Sequence, residues 1–192
     1  MKIPEFVKDT IKKLEDAGFE AFIVGGCVRD LLMKKEPGDW DVTTNARPEK
    51  ILEIFKDSKY ENTFGTVLVS IKNKKGETEH TVEVTTYRSE QGYSDRRHPD
   101  EIRFEDSLEK DLERRDFTIN AMALRLKKEK SEEIIDLFGG QKDLKKKIIR
   151  AVGEPTDRFK EDALRMMRAI RFSCQLNFEI EEKTLRGIKK MA

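Results

Sequence analysis

The amino-acid sequence predicts an α/β fold, with a sheet of about four or five strands, flanking helices and a helical C-terminal part. Two observations carry this. Short apolar runs of strand length alternate with stretches of helical period up to about residue 150, and beyond Gly153 only helical patterns follow. Gly and Pro mark the changes from one pattern to the next.

Residues 4–17 place Phe6, Val7, Ile11 and Leu14 at helical spacing behind Pro4, which suits a first turn, and Gly18 stops this helix. Residues 21–24 read as a buried strand that breaks at Gly25 and Gly26 before a helical stretch through Val28, Leu31 and Leu32. Residues 41–44 favour a strand, and Arg47-Pro48-Glu49 opens a helix through Ile51, Leu52 and Phe55. Two more strands are expected at 66–71 and 80–87, around the turn-prone segment 73–76. Residues 88–101 are polar without periodicity and read as a mobile loop. A helix is expected at 107–112, a strand at 134–136, then a break at Gly139-Gly140, a segment 141–147 and the Ile148-Ile149 pair. Residues 157–175 read as one long helical pattern, and a last helix begins near Glu181.

The 192 residues are 40% charged and 36% hydrophobic, yet 39 Lys and Arg against 38 Asp and Glu leave a net charge of +1, which argues against a polyanion-coating tail. The patterned Ile, Leu, Val and Phe clusters exclude a disordered polyampholyte. Only Cys27 and Cys174 occur, without CxxC or His-rich spacing, so neither zinc nor a disulfide framework is indicated and both read as buried thiols. The N-terminal segment lacks an apolar signal region, and no apolar run approaches the roughly 18 residues of a membrane span; the simplest reading is cytoplasmic.

Three features point to chemistry. Asp39-Trp40-Asp41 follows the turn signal Pro37-Gly38 and runs into a strand. At a side-chain period of two, both carboxylates project from one face, about 6.5 to 7 Å apart at Cα, with Trp40 on the other. Such a pair suits a shared divalent-metal site; solvated or loop-capping aspartates are the alternative. In HTVEVTTYR, Glu83 lies on the face opposite Val82 and Val84, and would complete a three-carboxylate cluster if its strand lay beside that of Asp39 and Asp41. Val24-Gly25-Gly26-Cys27-Val28-Arg29-Asp30 leads a strand into a helix through two glycines. There, exposed N–H groups and Arg29 could receive a phosphate. A tight turn with a surface Arg-Asp pair is the alternative.

GGCVRDLL, GDWDVTT, VEVTTYR, RRDFTINAMA, DLFGG and RFKEDALRMMRAIRF appear in this order. The set resembles the class II tRNA nucleotidyltransferases, that is the bacterial CCA-adding enzymes and their relatives the bacterial poly(A) polymerases, over nearly the whole chain. The resemblance implies a polymerase-β-like nucleotidyltransferase head with a small mixed sheet, at 1–152, followed by an all-helical neck at 153–192. It implies addition of CCA to the tRNA 3′ end from CTP and ATP with release of pyrophosphate, and a need for magnesium (Mg2+). Asp39 and Asp41 become the metal ligands and Glu83 the third catalytic carboxylate. Gly25, Gly26 and Arg29 would meet the nucleotide's phosphates or sugar, Arg115 the nucleotide, and Asp116 and Asn120 the ribose. A poly(A) polymerase, an A-only or CC-only tRNA enzyme, and a non-catalytic nucleotide- or RNA-binding module remain open, as does the oligomeric state. Tyr93, Asp95, Arg96, Arg97 and Pro99 resemble the flexible loop of enzymes that complete CCA.

In the last motif Asp162 and Arg165 stand one helical turn apart. A carboxylate can accept from the exocyclic amino group of C or A while a guanidinium donates to the neighbouring acceptor, which reads a base edge without a template. At 100° per residue, Arg165, Arg168 and Arg171 lie about 60°, 120° and 180° from Asp162. Arg165 is therefore expected to read the base, Arg168 to support it and Arg171 to act indirectly, although the family pattern groups all three with the nucleotide. Lys142, Lys145, Lys146, Lys147 and Arg150 form a basic segment that could meet acceptor-stem phosphates, or a solvated helix face. Family members continue into helical body and tail regions, so this stretch of chain is expected to bind nucleotide and to hold tRNA weakly.

Overall fold

The computed structural model describes residues 1–61, 65–93, 100–127 and 131–192. In chain order the elements are α1 (Glu5–Asp16), β1 (Ala21–Val24), α2 (Gly26–Leu32), β2 (Asp41–Thr44), α3 (Pro48–Ile54), β3 (Ser58–Tyr60), β4 (Thr66–Lys72), β5 (Thr78–Thr86), β6 (Arg88–Gln91) and β7 (Glu101–Phe104). There follow α4 (Leu108–Glu113), a 3-10 turn (Thr118–Asn120), β8 (Met122–Leu126), β9 (Glu132–Asp136), α5 (Gly140–Lys146), β10 (Ile148–Ile149), α6 (Pro155–Glu161), α7 (Leu164–Leu176), β11 (Glu179–Ile180) and α8 (Glu182–Met191).

Among the described residues, seven strands form one mixed sheet in the order β3-β4-β5-β2-β1-β8-β9. Only β2 and β5 run parallel; the other neighbours are antiparallel. Every residue of β1 is buried, because both faces of the sheet are covered there. Ala21 and Ile23 enter the larger core with Val7, Ile11 and Leu14 of α1 and Ile51 of α3. Phe22 and Val24 enter a smaller one with Tyr87, Leu112 and Ala123. The same alternation sorts the site residues. Val42, Val82 and Val84 point into the larger core, so Asp41, Thr43 and Glu83 share the opposite face. The parallel register sets Asp41 directly beside Glu83.

A third core joins Phe117, Ile119 and Ile149 to Phe159, Ala169, Phe172, Phe178 and Ile188 from the last helices. This contact seats α6, α7 and α8 against the turn that follows α4. The C-terminal part is helical except for β11, which pairs in parallel with β10.

Several expectations are corrected. The sheet is larger than four or five strands. It gains β3, a polar three-residue edge, and β8, whose Met122, Ala123 and Leu124 are all buried and so show no alternation. The segment 88–101 is not wholly loop, since β6 and β7 pair from Arg88↔Phe104 to Gln91↔Glu101. β6 (Arg-Ser-Glu-Gln) has no apolar residue, and the alternation of Ile102 and Phe104 in the four-residue β7 is too short to mark a strand without its partner. Asp95, Arg96, Arg97 and Pro99 lie outside the described residues. The helical pattern at 157–175 is broken at Asp162, which is extended at φ −135° and ψ 108°. Its Oδ1 accepts from the N–H of Leu164 at 2.8 Å, an aspartate competing with the helix for a backbone donor. Cys27 is buried but Cys174 is exposed on α7. Among the described residues, no helix is long and apolar enough to cross a membrane.

Gly140 opens α5 against the Thr118 turn; a Cβ there would lie 2.3 Å from the Thr118 carbonyl oxygen and 2.9 Å from Met122 Sδ. Gly140→Ala is expected to destabilise the protein by about 1–3 kcal/mol through overpacking. Urea unfolding measures this, and an unchanged midpoint would show that α5 can sit farther out.

Candidate functional site

The site begins at the end of β1. Gly25 adopts φ 83° and ψ −135°, a conformation that disfavours side chains. A Cβ on Gly25 would lie 3.0 Å from Arg115 Nη1 and 3.6 Å from Asp41 Oδ2, so the glycine also makes room for an arginine against a carboxylate. Asp39 is not in a strand as expected. It occupies the bend ahead of β2, Trp40 packs into the larger core, and Asp41 opens the strand.

Asp39 and Asp41 still face one cavity of about 670 Å3, shared with Gly25, Gly26, Arg29, Arg115, Asp116 and Asn120 and with Asp162, Arg165, Arg168 and Arg171. Arg88, Glu90, Tyr93, Arg114 and Phe172 complete its wall. Glu83 lies outside that wall, exposed on the neighbouring strand. Seven arginines against five carboxylates line the cavity among the described residues, with Asp39 and Asp41 concentrating the negative charge at one end.

Burial pushes the Asp41 carboxyl above its usual range; Arg115 opposes this and Asp39 adds to it. Glu83 is raised as well, first by desolvation and then by Asp41, Glu61 and Asp39. Carboxylates buried beside other acids in this way are relieved by a cation. Oxygen donors of this kind suit a hard divalent ion. Among the described residues, no group of three His, Cys, Asp or Glu side chains stands close enough to hold a metal alone. Two carboxylates at an open cavity instead fit an ion that keeps waters and substrate phosphates in its shell.

The arginines are held by buried acids. Asp111 is fully buried and accepts from Thr43 Oγ1 at 3.2 Å, from Arg114 Nε and Nη2 at 3.0 and 2.7 Å, and from Arg115 Nη2 at 3.1 Å. Burial alone would raise its carboxyl, but the guanidiniums of Arg114 and Arg115 bring it down to about 2. Asp116 accepts from the Phe117 N–H, from Asn120 Nδ2 and from Arg168 Nε, at 2.8, 3.3 and 2.7 Å. Arg29 donates to Asn120 Oδ1 and to Asp30 Oδ1, at 2.8 and 2.9 Å. The Arg29–Asp30 pair of the alternative reading is thus present, but largely buried and with Arg29 at the cavity wall. The buried Nε of Arg115 has no hydrogen-bond partner among the described residues.

The division of labour among Arg165, Arg168 and Arg171 rested on one continuous helix from Asp162, which the break at that residue removes. Arg165 is 6% exposed; its Nη1 donates to Glu161 at 2.6 Å and to the Arg158 carbonyl at 3.5 Å, and its Nη2 to the Arg114 carbonyl at 3.2 Å. Arg168 is tied to Asp116. Arg171 is exposed and makes neither ion pair nor hydrogen bond among the described residues; its guanidinium lies 5.1 Å from the centre of the Phe172 ring. In the basic segment Lys142, Lys145, Lys146 and Lys147 are exposed, but Arg150 turns inward to Asp143 and Glu181 at 2.9 and 3.0 Å.

With this geometry in view, the poly A polymerase head domain family matches residues 21–150. The chain belongs to that family. A CCA-adding enzyme of Lactobacillus helveticus is 50% identical to it over 98% of this chain and 46% of its own length. The Bacillus stearothermophilus CCA-adding enzyme in complex with CTP superposes at a TM-score of 0.83 and 40% identity, over 97% of this chain and 43% of that one. The Thermotoga maritima CCA-adding enzyme complexed with tRNA_CCA superposes at 0.77 and 29% identity, over 98% and 42%. The chain therefore spans about half the length of the relatives it matches.

For this head-domain family member, sequence reasoning missed Arg88, Glu90, Arg114, Asp111 and Phe172. Asp111 was within reach, because it precedes Arg114 and Arg115 by three and four residues on or beside α4, the spacing at which helical side chains meet. Arg88 and Glu90 gave no signal, since the pairing of Glu90 with both Arg88 and Arg114 depends on the β6–β7 ribbon. Asp111→Asn, which leaves two guanidiniums without their buried counter-charge, is expected to cost about 3–5 kcal/mol near pH 7. The native carboxyl titrates below its unfolded value, so its contribution is present above about pH 4 and lost as pH falls toward 2. The stability gap between the two proteins, followed by urea unfolding, should narrow over that window. A gap independent of pH would disprove the charge argument.

Proposed function

We propose that the full-length protein is a tRNA nucleotidyltransferase that adds CCA to the tRNA 3′ end from CTP and ATP, with this chain supplying the catalytic head (1–152) and a nucleotide-selecting neck (153–192). The observation that carries this reading is the meeting of Asp39 and Asp41 with Arg29, Arg115, Arg168 and Arg171 in one cavity, walled by both parts of the chain. Cation-binding acids beside arginines suit a triphosphate next to an attacking hydroxyl. The CCA-adding enzymes solved with CTP, ATP and tRNA support the substrate class. A cytoplasmic location accords with such substrates.

Asp39 and Asp41 would hold Mg2+, with Glu83 adding negative charge from the adjacent strand without ligating the ion. The ion, when bound, neutralises phosphate charge and makes the attacking hydroxyl more acidic. The tRNA 3′-oxygen forms a bond to the α-phosphorus while the bond to the β-phosphate oxygen breaks; pyrophosphate leaves and the hydroxyl proton passes to solvent. The Arg115 guanidinium at the cavity wall, with Arg29 and Arg171, would meet the charge of the phosphates. Asn120 and Asp116 set Arg29 and Arg168 beside the ribose.

Asp162 is assigned the exocyclic amino group that C and A share, and Arg165 the ring nitrogen next to it. Three protein acceptors already fix Arg165, which leaves two of its five N–H groups for a base in a preset orientation. Each good bidentate contact discriminates by about 1–3 kcal/mol. U and G present the wrong donor pattern to such a pair.

The test is extension of a tRNA lacking CCA by the full-length protein, with CTP and ATP singly and together. A three-nucleotide product requiring both supports the proposal. A long A ladder would make the protein a poly(A) polymerase, a stop after CC or A alone would narrow it, and nucleotide binding without any product would make it a binding module. Asp41→Ala should reduce incorporation by about a thousandfold or more while leaving nucleotide binding measurable. Incorporation near the parent rate would remove Asp41 from the chemistry.

A further inference from the structure

Phe172 stands where α7 meets α2, and three guanidiniums surround its ring: Arg29 from α2 at 5.4 Å, Arg168 at 5.4 Å and Arg171 at 5.1 Å from the centroid. We propose that Phe172 is a positioning residue for nucleotide binding, an aromatic post that sets the spacing and direction of these three arginines. The proposal rests on the nucleotide reading of the cavity.

The ring is well suited to that task. It is 8% exposed and lines the cavity, and the fully buried Phe117 holds it edge to face at 5.9 Å and 87°. A ring fixed in this way cannot turn with the arginines; they must settle on it. Guanidinium is flat and weakly hydrated, and the negative face of an aromatic ring attracts it. Three like charges around one side chain also repel one another. Asp30 offsets Arg29 and Asp116 offsets Arg168, but no acid offsets Arg171 among the described residues. The cluster is thus held together on its protein side while one positive charge stays directed at an anion in the cavity. Phe172 also joins the two parts of the chain, because Arg29 belongs to the glycine turn and Arg168 and Arg171 to α7.

The test compares Phe172→Leu, which keeps apolar bulk without a ring face, with Phe172→Tyr, which keeps the face. Binding of CTP and of ATP is measured by calorimetry, KM and kcat by tRNA extension, and the arginine Nε–Hε signals by NMR, all on the full-length protein. In the Leu variant, Kd and KM for both nucleotides should rise about five- to fifty-fold with kcat changed by less than about threefold, while Tyr stays near the parent. The Nε–Hε signals of Arg29, Arg168 and Arg171 should shift together in Leu and not in Tyr. A Leu variant that melts like the parent, binds like it and keeps those signals in place overturns the proposal. If Leu fails to fold, Phe172→Met takes its place. Arg171→Gln is then added to it, and additive losses in binding would equally overturn the proposal. Failure of the parent protein to bind either nucleotide would instead bring down the nucleotide reading itself.

Discussion

The site depends on one buried carboxylate that faces nothing but protein. Asp111 has no exposed surface, and an isolated charge in that position would be strongly unfavourable. It is tolerated because Arg114, Arg115 and Thr43 all donate to it. These bonds hold apart parts of the site that would otherwise move independently. Thr43 fixes the strand that carries Asp41, Arg115 is turned toward Gly25 and Asp41, and Arg114 is free at its other edge to bind Glu90 of the ribbon. Exchange of charge between a buried acid and two arginines thus sets the shape of the cavity before any ligand arrives.

The sheet solves a second problem, the placing of acids that repel one another. Among the described residues β2 and β5 are the one parallel pair in an otherwise antiparallel sheet, and their register brings Asp41 beside Glu83. Both carboxyls are raised, first by burial; Asp39 adds to the rise of Asp41, and Asp41, Glu61 and Asp39 to that of Glu83. The fold accepts this because Val42, Val82 and Val84, on the other face of the same strands, are wholly buried. Apolar burial of roughly 1.5–3 kcal/mol for each such side chain offsets the repulsion and keeps the acids together for a cation.

At the opposite wall, the C-terminal helices are joined to the sheet domain through a core of aromatic residues. Phe117, Phe159 and Phe172 occupy it, and the same core positions α7 so that its arginines enter the cavity. The break at Asp162 is part of this arrangement. One continuous helix would carry Arg165, Arg168 and Arg171 around its circumference; the break lets α7 start afresh at a new angle, with Asp162 left at the rim.

Much of the fold was legible because local rules govern it. The apolar run 21–24, the glycine turn and the period of α1 each depend on residues close in sequence. The motifs around the glycine turn, Asp39, Arg115 and Arg165 likewise marked the family and most of the cavity-lining positions, though not Arg88, Glu90, Tyr93, Arg114 or Phe172. Strands without alternation, such as β8, and strands without apolar residues, such as β6, left no local trace. Which arginines are engaged and which stays open was also beyond the sequence. Arg165 is anchored by Glu161 and by the carbonyls of Arg114 and Arg158, Arg168 by Asp116, and Arg171 by no acid among the described residues. The sequence by itself determined most of the helices, the apolar strands and the residue types that carry the chemistry. Only the tertiary structure decided that Asp41 adjoins Glu83, that α7 begins anew after Asp162 and that three arginines gather on Phe172, because those contacts join segments far apart in the chain and form only when the sheet and the aromatic core bring them together.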